Sequence, residues 1–518
     1  MRQFLATLLA TSTLGGCSLI YNPSDLPGVP IDARIPIDAA PDAEPDAPPV
    51  AADPTALRIT SVQPAKILEG QGDGGSQPQY LFIEGTDIVD GATVTLSPDP
   101  LNTGVDITVG TPLYASDHHS IAVPLTVHVM PTLADTNVSL KVRVEQPGNE
   151  KFDEGQYITL HTLPEFAVAG IQTVAPTVTL YSQIKIPAAT RYEGTQQVVL
   201  RAIADIRVVG NFDVSAPRTV AASTTAATVP GPGGTAGGAG GPNGAGGAGL
   251  AAAGSPAMGG GGGGAAGGGG GGGGYAMRGG LGSGGTPAAV GGEATGDATG
   301  LLLSALDANH GAGGGGGGTT IVSTASGGAG GGGGGTLVLA AGGDLTVGGA
   351  VLAKGANGMA AANSTGQGGG GGSGGTILLR AGGLLGVPTR SVAGGAAGDA
   401  TAGAGSPGRI RVDSQAPSGA DRHGLTIVRP AVTAGNLPSI DIQVRGRNGD
   451  KFRYYVRKIG VLGALDAGGT INSDNISVAF PVMLKIGLNE ICVTNDPGTL
   501  DVSFETQDCI QVANIPIF

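Results

Sequence analysis

Of the 100 glycines in this 518-residue chain, 73 fall between positions 231 and 410. Glycine loses more conformational freedom on ordering than any other residue, so a stretch this rich in it has two outcomes. It stays a flexible linker, or it folds where backbones must come closer than a Cβ allows. Four runs stand out, at 259–274, 311–318, 327–335 and 368–375. Those ending at Gly318, Gly335 and Gly375 abut Thr319, Thr336 and Thr376, each leading into an apolar strand. A linker has no reason to keep that place. Runs at equivalent points of a repeat can lie side by side and exchange backbone hydrogen bonds, as bundled polyglycine helices do. The linker reading stays open beside this one, most of all for 229–300.

A repeat accompanies the runs. GTLVLAAGGDL from Gly335 to Leu345 is matched by GTILLRAGGLL from Gly375 to Leu385. An earlier copy, from Val199 to Phe212, aligns Leu200, Arg201 and Ala202 with Leu379, Arg380 and Ala381. It also aligns Asp205, Ile206 and Gly210 with Asp344, Leu345 and Gly349. Short apolar strands broken by Gly corners predict a parallel β-solenoid, with Asp205 and Asp344 as corner turn residues. We place it at 165–430, with a low-complexity insertion at 229–318, and expect the glycine runs to be ordered parts of its coils. The repeat style, G-G-x-G-G-T-[apolar]-x-L-x-A, resembles Gly-rich solenoid proteins of bacterial surfaces.

The flanks read as two sandwiches. Over 55–164, apolar alternation in Tyr80–Ile83, Ala92–Leu96, Ile121–Val129 and Val138–Val144 is punctuated by Gly, Pro, Asp and Asn. Ile59, Val62, Pro64, Ile83, Gly85, Gly91, Ala92 and Val94 resemble the opening of an IPT/TIG domain. That resemblance implies an Ig-like β-sandwich used in cell-surface and scaffold proteins. Over 431–518, Pro481–Val493 and Asp496 resemble the late strands of bacterial Ig-like domains, implying a second sandwich. The fold class expected is therefore all-β: Ig-like sandwich, Gly-rich parallel β-solenoid, Ig-like sandwich.

The N-terminus suggests export. Arg2, the apolar stretch Phe4–Ala10 and small residues lead to Leu14-Gly15-Gly16-Cys17. The apolar run is far shorter than the about 20 residues that span a bilayer, so residues 1–16 read as a removable leader. The sequence resembles the lipobox of bacterial lipoproteins, which implies lipidation of Cys17, and Ser18 leans towards the outer membrane. Residues 17–54, rich in Pro, Ala and Asp, form an extended tether. With Cys17 lipidated, Cys492 and Cys509 remain, and an exported pair in one small domain reads as a disulfide.

Chemistry is sparse. A net charge of −13 argues against nucleic acid. Asp117-His118-His119 is the one histidine cluster, and neighbours on a strand face opposite ways, so no metal site is expected. Ser373 fits G-x-S-x-G only inside a glycine run. No catalytic residue and no cofactor is expected. The function these features imply is a lipid-anchored structural or adhesive protein at the outer membrane or cell surface. It would be a spacer and contact surface without catalysis, its partners being the membrane and a cell-surface protein or glycan. The alternative is a carbohydrate-binding or polysaccharide-degrading β-helix protein.

Overall fold

The structure, a computed structural model, describes residues 57–515 with interruptions, the longest at 218–227, 250–258, 294–326, 415–421 and 496–506. The leader, the tether with Cys17 and the run 311–318 lie outside the described residues. Among the described residues every regular element is a β-strand, so the chain is all-β.

The first domain is a sandwich. One sheet orders Arg58–Gln63, Gln79–Thr86, Ser120–Val127 and Ile107–Val109, with Leu113–Tyr114 also on Ser120–Val127. The other orders Lys66–Leu68, Phe152–Thr162, Thr136–Glu145 and Thr93–Pro98. Period-two alternation decides which side meets the core. Val138, Leu140, Val142 and Val144 turn inward onto Leu81, Ile83, Ile121 and Val123. Gly85 is required because a Cβ there would stand 2.3 Å from the Arg58 carbonyl oxygen.

The last domain is also a sandwich. Its three-stranded sheet holds Thr426–Val428, Ser439–Arg445 and Val478–Met483. The five-stranded sheet orders Ala434–Gly435, Gln507–Asn514, Gly487–Asn495, Lys451–Lys458 and Leu465–Thr470. Cys492 lies opposite Cys509 on adjacent strands, and the two are joined in a disulfide across a separation of 17 residues. Closing a loop of that size contributes about 3 kcal/mol. The Asn489 side chain ties the connection between the sheets, accepting from the Lys485 amide at 3.0 Å and donating to the Lys485 carbonyl at 2.7 Å.

Between them stands a three-walled parallel solenoid. The first wall stacks Phe166–Ala167, Ile184–Ile186, Ile206–Val208 and Leu345–Val347. The second stacks Gly170–Gln172, Thr190–Tyr192, Phe212–Asp213, Ala350–Leu352 and Thr389–Ser391. The third stacks Leu180–Tyr181, Val198–Ala202, Thr336–Ala341, Thr376–Ala381, Arg409–Ser414 and Arg422–His423. The repeat alignment is the sheet register: Leu200 pairs with Leu339 and Leu339 with Leu379, while Ile206 pairs with Leu345. The inward side chains make one apolar column. Corner side chains carry the stacking between strands. Asp205 Oδ1 accepts from the Asp344 amide at 2.7 Å, Asn211 Oδ1 from Ala350 at 2.8 Å, and Ser215 Oγ from Lys354 at 2.9 Å. All three bonds span the same 139 residues, so the coil closes in register across the long insertion.

Candidate functional site

From Phe166 to Ala381 each coil runs first wall, second wall, third wall, and the passage from second to third is where the chain lengthens. There, after Phe212–Asp213, after Ala350–Leu352 and after Thr389–Ser391, it leaves the solenoid and later returns to Thr336, Thr376 and Arg409. The described glycine runs therefore are insertions at equivalent points of successive coils rather than wall segments, and they are ordered and hydrogen-bonded side by side as the sequence leads one to expect. They project from one corner, and there they are ordered against each other.

The segment 368–375 sits at the centre, and its hydrogen bonds recur every third residue. The carbonyls of Gln367, Gly370 and Ser373 accept from Gly328, Gly331 and Gly334 at 2.8–2.9 Å. Those of Gly368 and Gly371 accept from Gly270 and Gly273, and those of Gly369 and Gly372 from Gly398 and Gly395. The amides of Gly369, Gly372 and Gly375 donate to Met359, Ala356 and Ala353, and those of Gly371 and Gly374 to Gly403 and Ser406. A β-strand has period two and bonds sideways to two neighbours. A period of three, reaching five neighbours, is the signature of a polyproline II-type helix, which has three residues per turn and no internal hydrogen bonds. Without side chains each turn exposes its backbone groups all round, and neighbouring helices satisfy them.

Space, rather than backbone conformation, demands glycine here, since none of the glycines from 368 to 375 takes a left-handed φ. A Cβ on Gly369 would lie 2.1 Å from the Ala329 carbonyl oxygen, and one on Gly372 2.1 Å from that of Gly332. Segments of the region read as low-complexity insertion join the same bundle. Gly330 and Gly333 donate to Gly238 and Thr235, an antiparallel neighbour with the same step of three.

Tyr275 fastens the bundle to the solenoid. It follows the run 268–274, is fully buried, and its hydroxyl lies 2.7 Å from Thr376 Oγ1 on the third wall. The Arg409 guanidinium stands 4.9 Å from its ring centroid, a cation–π contact. Nothing in the repeat pattern singles out this residue. The available signal was that Tyr275 is the sole aromatic between Phe212 and Phe452.

The other candidates from the sequence sit in a turn and inside the bundle. Asp117-His118-His119 is a tight turn, with Asp117 Oδ1 accepting from the His119 amide at 3.0 Å. Ser373 is buried inside the bundle. Among the described residues one group of metal-ligating type exists, Glu490 with Cys492 and Cys509, and both of its sulfurs are spent in the disulfide.

A cleft of about 100 Å³ lies where the three domains meet, lined among others by Gln71, Arg380, Arg429 and Asp508. Ligand pockets run to about 300–1,000 Å³, and these charges serve the junction itself. Arg380 pairs with Asp508, whose Oδ2 accepts from the Ile427 amide at 2.8 Å. Arg429 donates to the carbonyls of Gly75 at 2.8 Å and Gly342 at 3.1 Å. The loop from Glu69 to Gln77 is the hub. The Glu69 carboxylate accepts from the Met130 and Leu163 amides, and the Gly74 carbonyl accepts from Asp344 at 3.1 Å. The sandwiches also touch directly, Tyr80 and Phe82 packing on Leu488, Ala513 and Ile515.

Burial raises the pKa of Glu69, and it raises that of Asp205 to about 6, assisted by the Asp344 and Asp73 carboxylates. The folded chain holds these protons more tightly than the unfolded chain. Their stabilisation is therefore full at low pH and is lost as pH climbs, for Asp205 through about 6. Relative to the parent, Asp205→Asn should gain thermal stability between about pH 4.5 and 7.5. A stability gap between the two that is the same at both pH values would contradict this.

No family model, curated protein or solved structure matches this chain. The lipoprotein, IPT/TIG and bacterial Ig-like resemblances rest on their sequence motifs alone.

Proposed function

We propose that this chain is a lipid-anchored structural or adhesive protein of the outer membrane or cell surface, acting as spacer and contact surface without catalysis. The observation that carries the reading is the bundle. The described parts of three excursions from one solenoid corner are held together by backbone hydrogen bonds, and the outward residues of the peripheral helices, Ala393, Ala396 and Ala404, are small and exposed. A rigid scaffold carrying a side-chain-poor surface suits contact rather than turnover. The two sandwiches, locked to the solenoid through the Glu69–Gln77 loop, fix the direction in which that surface is presented. The lipobox and tether would supply anchor and reach, with a cell-surface protein or glycan as partner.

The experiment has two arms. Cys17→Ser should move the protein from the membrane to the soluble fraction, and the released chain should bind whole cells or their extracted envelopes. Sedimentation with membranes after a high-salt wash removes the anchor from this reading, and a released chain that binds neither cells nor envelopes removes adhesion.

A further inference from the structure

The outer face of the first sandwich carries a different kind of surface. With Val138, Leu140, Val142 and Val144 turned to the core, strand Thr136–Glu145 turns Lys141, Arg143 and Glu145 outward. Sheet register places Ser97, Lys141 and Tyr157 in one row, Thr95 beside Arg143, and Thr93, Glu145 and Phe152 in another row. Three columns result: hydroxyls on Thr93, Thr95 and Ser97, charges in the middle, and aromatics on the far strand. Phe152 and Tyr157 are 51% and 58% exposed. In a chain with 3% aromatics, two exposed rings on one strand and one face are unexpected on burial grounds alone. The charges are mutually neutralised: Lys141 pairs with Glu154 at 3.2 Å, and Arg143 with Glu145 at 3.0 Å and Glu154 at 3.4 Å. The Arg143 guanidinium also covers the Phe152 ring at 3.8 Å. The Tyr157 side chain has no hydrogen bond or ring contact among the described residues and is 58% exposed.

We propose that this face binds a neutral polysaccharide, with Tyr157 as the stacking platform and Lys141, Arg143, Glu154 and Ser97 as hydrogen-bonding partners of sugar hydroxyls. The charge balance selects the ligand. Paired cations and carboxylates offer donors and acceptors without net charge, which complements a hydroxylated, uncharged polymer. An acidic polymer would meet Glu145, Glu154 and a chain of net charge −13, and the core of a protein interface is depleted in charge, whereas Lys141, Arg143, Glu145 and Glu154 occupy the middle of this face. The positively polarised C–H edges of a pyranose suit the negative face of an aromatic ring. The Lys141 and Glu145 rows are four residues apart on the strand, about 13 Å, the reach of a short run of sugar rings. This face is separate from the glycine bundle, so the proposal stands or falls independently of bundle adhesion.

The test is affinity electrophoresis of the full chain, held in mild detergent, through gels containing dextran, laminarin, glucomannan or alginate. At least one of the three neutral polymers should retard it, and Tyr157→Ala should weaken that retardation about tenfold with an unchanged circular dichroism spectrum. Tyr157→Phe should retain most of it, and a chain carrying Gly372→Ala in the bundle should be retarded like the parent. Retardation by alginate alone, by none of the neutral polymers, or equally in Tyr157→Ala overturns the proposal.

Discussion

Replacing Gly372 by alanine is expected to release the glycine bundle while both sandwiches stay folded. The added methyl would sit 2.1 Å from the Gly332 carbonyl oxygen and 2.7 Å from that of Gly331. Those atoms are backbone, so no side chain can rotate away, and the helices must separate. Separation breaks the bond from the Gly372 amide to Ala356 and the bond that its carbonyl accepts from Gly395. Each buried group left unpaired costs about 1–3 kcal/mol, so the bundle should lose about 3–5 kcal/mol. Alanine's advantage in unfolded-state entropy, about 0.4–1 kcal/mol, is too small to offset that. Ala404→Ser, on the exposed side of a peripheral helix, should change stability by less than about 0.5 kcal/mol. Chemical denaturation followed by peptide-resolved hydrogen exchange distinguishes the two, and equal protection of 327–335 in both variants would refute the steric argument.

Leu339→Ala should have the larger reach. Leu339 is fully buried between Leu200 and Leu379 in the central column of the solenoid. Deleting such a side chain from a packed stack costs about 2–5 kcal/mol. The excursions that build the bundle return to the third wall, at Thr336, Thr376 and Arg409, and Tyr275 is pinned there to Thr376. Weakening the wall therefore removes the bundle's attachment, and protection should fall in 336–341, 376–381 and 368–375 together. The Gly372 variant should instead lose protection in the bundle and keep it in the walls. Were Leu339→Ala to destabilise the walls and leave the bundle unchanged, the bundle would be an independent unit and the scaffold account would fail.

What was legible in the sequence is what side chains encode. The strands Thr336–Ala341 and Thr376–Ala381 were legible because their apolar pattern repeats with the Gly corners, and the motif alignment is the ladder register. Asp205 and Asp344 were legible as corners because turn chemistry is local. The disulfide followed from there being two remaining cysteines on facing stretches of one domain. The bundle was legible only as a suspicion. A run without side chains has no inner or outer face, so nothing in it separates a wall strand of period two from a polyglycine helix of period three. Its position, abutting Thr336 and Thr376, was visible, but its departure from the coil was not. Tyr275 meets Thr376 across 101 residues of sequence, and the loop Glu69–Gln77 reads as a glycine-rich turn until Asp344 and Arg429 are found against it. Long-range contacts of this kind leave no local pattern.

Hydrogen exchange on the glycine amides of the unaltered chain tests the central claim most directly. If the bundle is an ordered set of polyglycine helices, amides within 327–335 and 368–375 exchange slowly, as paired backbone groups do. Gly369, Gly372 and Gly375, whose donors are all paired, should be among the best protected. Complete exchange of both runs within the dead time, with protection confined to the wall strands Thr336–Ala341 and Thr376–Ala381, would contradict it and leave the glycines as linker.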